Sequence, residues 1–200
     1  LRAGNPALAH KLMAKNDSLV NSSPVLLSLK AHMMADQGDI PGATRLFERL
    51  FAENQNGGIA RIVIENARQS IGAEATEKIL ASTKSKLPED AQKILHIQFL
   101  IQIGQITKAA QILSDYPFSQ ISDKLNLLVP LVIQTAQALP LNESDSLLQK
   151  YSSADPKQTA LLIARARNRA AAGDMATAKT LLSEAEQTSP REARLVSIEL

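Results

Sequence analysis

Residues 24–57, PVLLSLKAHMMADQGDIPGATRLFERLFAENQNG, decide how this chain folds. Leu26, Leu27, Ala31 and Met34 recur at helical spacing, Gly38-Asp39 breaks the pattern, and Ala43, Leu46, Phe47 and Leu50 form a second apolar stripe. The stretch reads as two amphipathic helices joined by a tight turn. Glycine suits that turn because a left-handed backbone costs it little.

The same reversal recurs in both directions. Gly4, Gly38, Gly72, Gly104, Leu139 and Gly173 are spaced 34, 34, 32, 35 and 34 residues apart. A small residue follows five of these six points at nearly the same offset, namely Ala9, Ala43, Ala109, Ser144 and Ala178, where two helices must approach closely. A fixed period near 34 residues predicts an all-α solenoid of antiparallel helical hairpins. The hairpins are expected at 24–57, 58–89, 90–124, 125–158 and 159–192, all within a single solenoid over residues 1–200.

Thr159 opens the second clear unit, with Leu162, Ala166, Gly173-Asp174, Ala178, Leu181, Leu182 and Ala185, and Pro190 is expected to stop its second helix. The unit from Asp90 carries Ile97, Leu100, Gly104, Ala109, Ile112 and Leu113 and ends at Tyr116-Pro117, which shortens its second helix. Two units are degenerate. Residues 58–89 keep Ile62, Ile64, Gly72, Ile79 and Leu80, whereas 125–158 place Leu139-Pro140 where a turn glycine belongs. Residues 1–23 read as a second helix alone and 193–200 as the start of another first helix. Neither resembles a polar cap, so a piece of a longer array is expected.

Only 3% of residues are aromatic and none is Trp, so the core must be built from Leu, Ile and Ala. Lys and Arg number 22 against 20 Asp and Glu, scattered along the chain, which is no footprint for nucleic acid. The longest apolar stretches, Leu127–Val129 with Leu131–Ile133, are short and interrupted by Pro130, so no membrane insertion is expected. Without Cys there is no disulfide framework and no thiolate chemistry, and periplasm and cytosol both stay open.

Ala31, Gly38, Ala43 and Phe47 in one unit, and Ala166, Gly173, Ala178, Ala185 and Pro190 in another, resemble the tetratricopeptide signature. The resemblance covers essentially the whole chain, with Gly72, Gly104 and Ala109 marking weaker units. The usual tryptophan and tyrosine of the first helix are missing, and Arg68 and Arg169 stand where a buried aromatic is common. Such arginines are expected to lay their stems along the hairpin and keep their heads in water. The resemblance implies a right-handed superhelix whose first helices line a concave surface that holds an extended peptide or a partner helix.

Laid in register, the units put Ser28, Ile62, Ile94, Val129 and Ile163 in one row and His32, Asn66, Gln98, Ile133 and Arg167 in the next. The candidate partner-binding residues are therefore His32, Ile62, Asn66, Ile94, Gln98, Ile133, Ile163 and Arg167. If open, the strip suits an amphipathic segment; otherwise it packs between neighbouring first helices. The lysine and asparagine set that grips carboxylate tails in chaperone-binding members is not reproduced by Asn66 alone.

Chemistry is sparse. His10, His32 and His96 lie in different expected helices without partners at ligand spacing, so no metal is expected. No phosphate loop or nucleophile elbow occurs, and neither enzyme activity nor a cofactor is expected. Glu184 and Glu186 are two apart and do not face each other, and Arg167 turns away from Arg165 and Arg169. Phe47, Phe51, Phe99, Tyr116, Phe118 and Tyr151 fall mostly in second helices or turns and make poor sugar platforms. The expected role is a non-enzymatic scaffold that binds a protein, an enzyme or assembly factor. Alanine- and glutamine-rich arrays without cysteine resemble bacterial envelope assembly proteins, including periplasmic scaffolds of exopolysaccharide export, which favours the periplasm. A cytosolic adaptor, or a regulatory or ligand-sensing module of a larger enzyme or transcription regulator, is the rival expectation.

Overall fold

The structure is a computed structural model and describes residues 11–13, 15–191 and 193. Its described elements are helices α1 (Asp17–Ser22), α2 (Pro24–Asp36), α3 (Ile40–Glu53), α4 (Gly57–Ile71), α5 (Ala73–Ser82), α6 (Glu89–Gln102), α7 (Ile106–Asp115), α8 (Phe118–Gln137), α9 (Leu141–Ala154), α10 (Thr159–Ala171) and α11 (Met175–Thr188). No strand occurs among the described residues. The helices fall into two units, Leu1–His96 and Ile97–Leu200, divided within α6.

Three reversals share one hydrogen-bond pattern. Gly38, Gly104 and Gly173 have φ of 90°, 75° and 83°. Each glycine amide donates three residues back, as from Gly38 to the Ala35 carbonyl at 2.9 Å. The next amide donates five residues back, from Asp39 to Met34 at 2.9 Å, Gln105 to Leu100 at 2.8 Å and Asp174 to Arg169 at 2.9 Å. This left-handed cap satisfies the last carbonyls of the first helix. Asp39 and Asp174 then accept from the amides of Gly42 at 2.9 Å and Thr177 at 3.1 Å, capping the second helix. Two adjacent residues thus close one helix and open the next. No atom lies within 4 Å of where a Cβ on Gly38 or Gly173 would stand, so it is the dihedral that demands glycine.

Gly72, at φ 87°, is the single residue between α4 and α5. The α8–α9 reversal, at Leu139, is built differently: Ala138 has φ −104°, Pro140 has φ −56°, and no non-glycine residue among those described has positive φ. Gly4, Ala9 and His10 lie outside the described residues.

The small residues after each turn are where helices meet. Ala43 and Ala109 have no exposed surface, and Ala178 and Ser144 are buried. In the first unit α2 packs along both α3 and α4, and Phe47 and Phe51 fill the space between helices. In the second, Leu162, Ala166, Leu181, Leu182, Ala185 and Ala193 form one apolar cluster joining α10 and α11.

Two boundaries depart from the sequence reading. Helix α8 begins at Phe118, so the boundary drawn at 124/125 falls inside it. Pro130 lies inside this helix, which continues to Gln137. Pro190 does not stop α11 itself. The helix ends at Thr188, Ser189 turns away at φ −141°, and Pro190 opens the next helical stretch.

Helix α9 supplies the C-terminal cap of α7. Lys150 Nζ donates to the carbonyls of Ser114 at 2.5 Å and Tyr116 at 2.7 Å, and Tyr151 Oη donates to Leu113 at 3.0 Å. The ammonium sits at the negative end of a ten-residue helix, where cations are favoured. Desolvation holds the Lys150 pKa below its usual value, with Asp115 opposing, and burial, aided by Tyr116, pushes Tyr151 up.

Gly173→Ala should lower stability by about 1–2 kcal/mol, the cost of a left-handed alanine, measured as a shift in urea midpoint. The unfolded Tyr151 phenol ionises near pH ~10 while the folded one stays protonated, so its stabilisation holds below that pH and is lost above it. The thermal midpoint should therefore fall above pH ~10, and fall less steeply in Tyr151→Phe.

Candidate functional site

In the first unit the seam between α2 and α4 is closed by polar contacts. Asn66 Nδ2 donates to Ser28 Oγ at 2.7 Å, and Ser28 has no exposed surface. One turn along, His32 Nδ1 lies 2.7 Å from Ser70 Oγ. Both pairs are 38 residues apart, one repeat of 34 plus one helical turn, so neighbouring first helices meet one turn out of register. Ser28, Asn66 and His32 are engaged in this packing, while Ile62 on α4 stays 43% exposed. Ile94 and Gln98 are half-buried on α6, and Val129 is buried in α8.

Asp36, His32 and Ser70 look superficially like a hydrolytic triad, with His32 Nε2 at 3.6 Å from Asp36 Oδ2. The Ser70 hydroxyl lies 2.7 Å from His32 Nδ1 and 2.5 Å from the Asn66 carbonyl one turn back, so it is shared between the seam and its own helix. His96 and Glu77 approach to 3.6 Å. Among the described residues no group of three His, Asp or Glu side chains could hold a metal ion, and no helix is long and apolar enough to cross a membrane.

The second unit contains an open groove. Helices α8 and α10 touch only sparsely, unlike α2 and α4. Between them lies a cavity of about 590 Å³ lined by Ile133, Ala136 and Gln137 of α8, by Leu139, Leu141, Ser144 and Leu148, and by Ala160, Ile163, Ala164, Arg167, Asn168 and Ala171 of α10. Three expected site residues, Ile133, Ile163 and Arg167, come together here. The two isoleucines are half-buried and Arg167 is exposed.

Where α4 presents Asn66 and Ser70 to α2, α10 carries Arg167 and Ala171 at the equivalent positions, and Ala171 offers no hydrogen bond like that of Ser70 with His32. At the same time α10 is tied to α9: Asn168 Nδ2 donates to the Leu141 carbonyl at 3.0 Å, and Arg169 Nη2 binds Asp145 Oδ2 at 2.5 Å. Arg169 Nη1 also lies 3.7 Å from Asp174, whose carboxyl is held below its usual pKa mainly by hydrogen bonds from Thr177 and less by Arg169. The Arg169 head is therefore held between carboxylates, contrary to the expectation of a head in water. Arg68 pairs with Glu65, Nη2 to Oε1 at 2.6 Å, and lowers the Glu65 pKa. A second, more polar recess of about 480 Å³ lies between α7 and α9, beside the engaged Lys150.

Sequence reasoning missed the groove floor, Leu139, Leu141 and Ser144. The signal was present in the absent turn glycine at Leu139-Pro140.

No protein-family model matches the sequence, and no curated protein matches it. Among solved structures the chain is similar to YrrB, described as a TPR protein with an unusual peptide-binding site. The two share 12% identity and a TM-score of 0.51 over 98% of this chain and 100% of the other. The chain has a tetratricopeptide-type fold. At this identity the likeness carries the tetratricopeptide architecture and no residue correspondence.

Substitution separates the packing residues from the groove residues. Asn66→Ala leaves Ser28 without its donor and should cost about 1 kcal/mol in urea denaturation. Arg167→Ala, at an exposed position, should leave the midpoint unchanged.

Proposed function

We propose that this chain is a non-enzymatic scaffold that binds a protein partner, an enzyme or assembly factor, in the groove between α8 and α10. The observation that carries the reading is the parting of two first helices. A fold that closes this seam with hydrogen bonds between α2 and α4 leaves it open, apolar and accessible between α8 and α10. The cavity lies within the range of ligand sites, roughly 300–1,000 Å³. YrrB, which shares the fold, is described as having a peptide-binding site, and this supports a peptide or protein occupant here.

The setting we favour is bacterial envelope assembly, including exopolysaccharide export, with the chain in the periplasm. Its support is the sequence resemblance to alanine- and glutamine-rich, cysteine-free arrays. In that setting the groove holds one factor while the rest of the assembly is anchored nearby.

A photo-crosslinking amino acid placed at Ile163, at Arg167 and, as control, at exposed Glu184 tests this in living cells. Adducts with one protein at the two groove positions and none at Glu184 are the expected result. Adducts only at Glu184 would move binding to the opposite side of the hairpin. Mass spectrometry of the adduct then separates an envelope factor from a cytosolic one, and the second outcome would sink the envelope setting.

A further inference from the structure

We infer that Arg169, which does not line the groove, is the positioning residue that fixes the groove's end between α9 and α10, by compensating the Asp145 carboxylate. This rests on the scaffold reading and adds what holds that site in shape.

One guanidinium meets two carboxylates on different helices. Arg169 Nη2 donates to Asp145 Oδ2 of α9 at 2.5 Å, and Nη1 lies 3.7 Å from Asp174 Oδ2 at the start of α11. The planar fork of arginine faces two partners at once, which the compact ammonium of lysine does less well. Arg68 in the first unit, likewise four residues before its turn glycine, pairs instead with Glu65 of its own helix. Arg169 therefore links α9, α10 and α11, whereas the Arg68 pair stays within α4.

The two carboxylates depend on it unequally. Asp174 accepts from the Thr177 amide at 3.1 Å and is 38% exposed, so a backbone donor and water both serve it. Asp145 is 17% exposed, and its other oxygen, Oδ1, is buried and accepts no hydrogen bond among the described residues. Arg169 is the donor on which Asp145 relies. A carboxylate left there without a partner is strongly unfavourable, so water must reach it. Water enters between α9 and α10 only if they part by about 3 Å, the span of one hydrogen bond. The parting falls at the groove's end. Asn168, the residue before Arg169, donates to the Leu141 carbonyl at 3.0 Å, and Asn168 and Leu141 both line the groove. Packing of α10 on α11 through Leu162, Ala166, Leu181, Leu182 and Ala185 is apolar and does not need the arginine.

Pulsed EPR distances on the whole chain test this. The chain has no Cys, so nitroxides go uniquely onto Glu143→Cys of α9 paired with Ala171→Cys of α10, and onto Ala171→Cys paired with Lys179→Cys of α11. All three positions are exposed. Arg169→Met should lengthen the α9–α10 distance by about 3 Å and leave the α10–α11 distance unchanged. Asp145→Asn, which still accepts from the guanidinium, should change neither. Asp145→Leu combined with Arg169→Met removes both partners at once and should restore the original distance. In the Ile163 cross-linking experiment, Arg169→Met should lower the yield of adduct and the double variant should recover it. An unchanged α9–α10 distance in Arg169→Met, an equal change between α10 and α11, or a double variant that stays parted would each overturn the inference. If circular dichroism shows that Arg169→Met does not fold, the double variant decides: recovery of the fold with the original distance supports the inference, and failure to recover overturns it. Unchanged distances with undiminished adducts at Ile163 would sink this inference and leave the scaffold reading standing. Shifted distances in a chain that gives no adduct would do the reverse.

Discussion

The structure depends on a reversal in which a left-handed glycine ends one helix and, at Gly38 and Gly173, the following aspartate starts the next. Because only three residues separate the helices, the two must lie antiparallel and close. That closeness requires a small side chain on the incoming helix, and Ala43, Ala109 and Ala178 provide it. Larger apolar side chains can then fill the flanking space, as Phe47 and Phe51 do in the first unit. Helices joined so tightly stack best when the next first helix shifts by a turn. The separation of 38 residues between hydrogen-bonded partners in α2 and α4 records that shift.

Where the constraint is relaxed, the packing changes character. At Leu139-Pro140 the reversal needs no left-handed residue, and its leucines join the floor of a cavity. Helix α10 packs on α11 through Leu162, Ala166, Leu181, Leu182 and Ala185, and Asn168 and Arg169 tie it to the start of α9, while Ala160 and Ala164 line the groove beside α8.

The same contacts bear on function. In the first unit the polar groups are held by one another: Asn66 donates to Ser28, and the Ser70 hydroxyl lies between His32 Nδ1 and the Asn66 carbonyl. In the second unit Arg167 lines a groove whose other walls are mostly apolar.

The hairpin fold was legible because it is written in local chemistry. Glycine is the residue that adopts a positive φ cheaply, alanine is the residue that lets helices touch, and their recurrence every 34 residues or so needs no tertiary information. The lining of Ile133, Ile163 and Arg167 was also visible as a register. Sequence could not tell which rows stay open, because Ser28 and Asn66 occupy positions equivalent to residues elsewhere in the same rows. Whether a seam closes depends on hydrogen bonds between residues 38 apart and on which neighbour an arginine finds. Those are properties of three-dimensional pairing. Local backbone preference therefore determined the helices and their turns, and side-chain pairing between repeats decided where the groove lies.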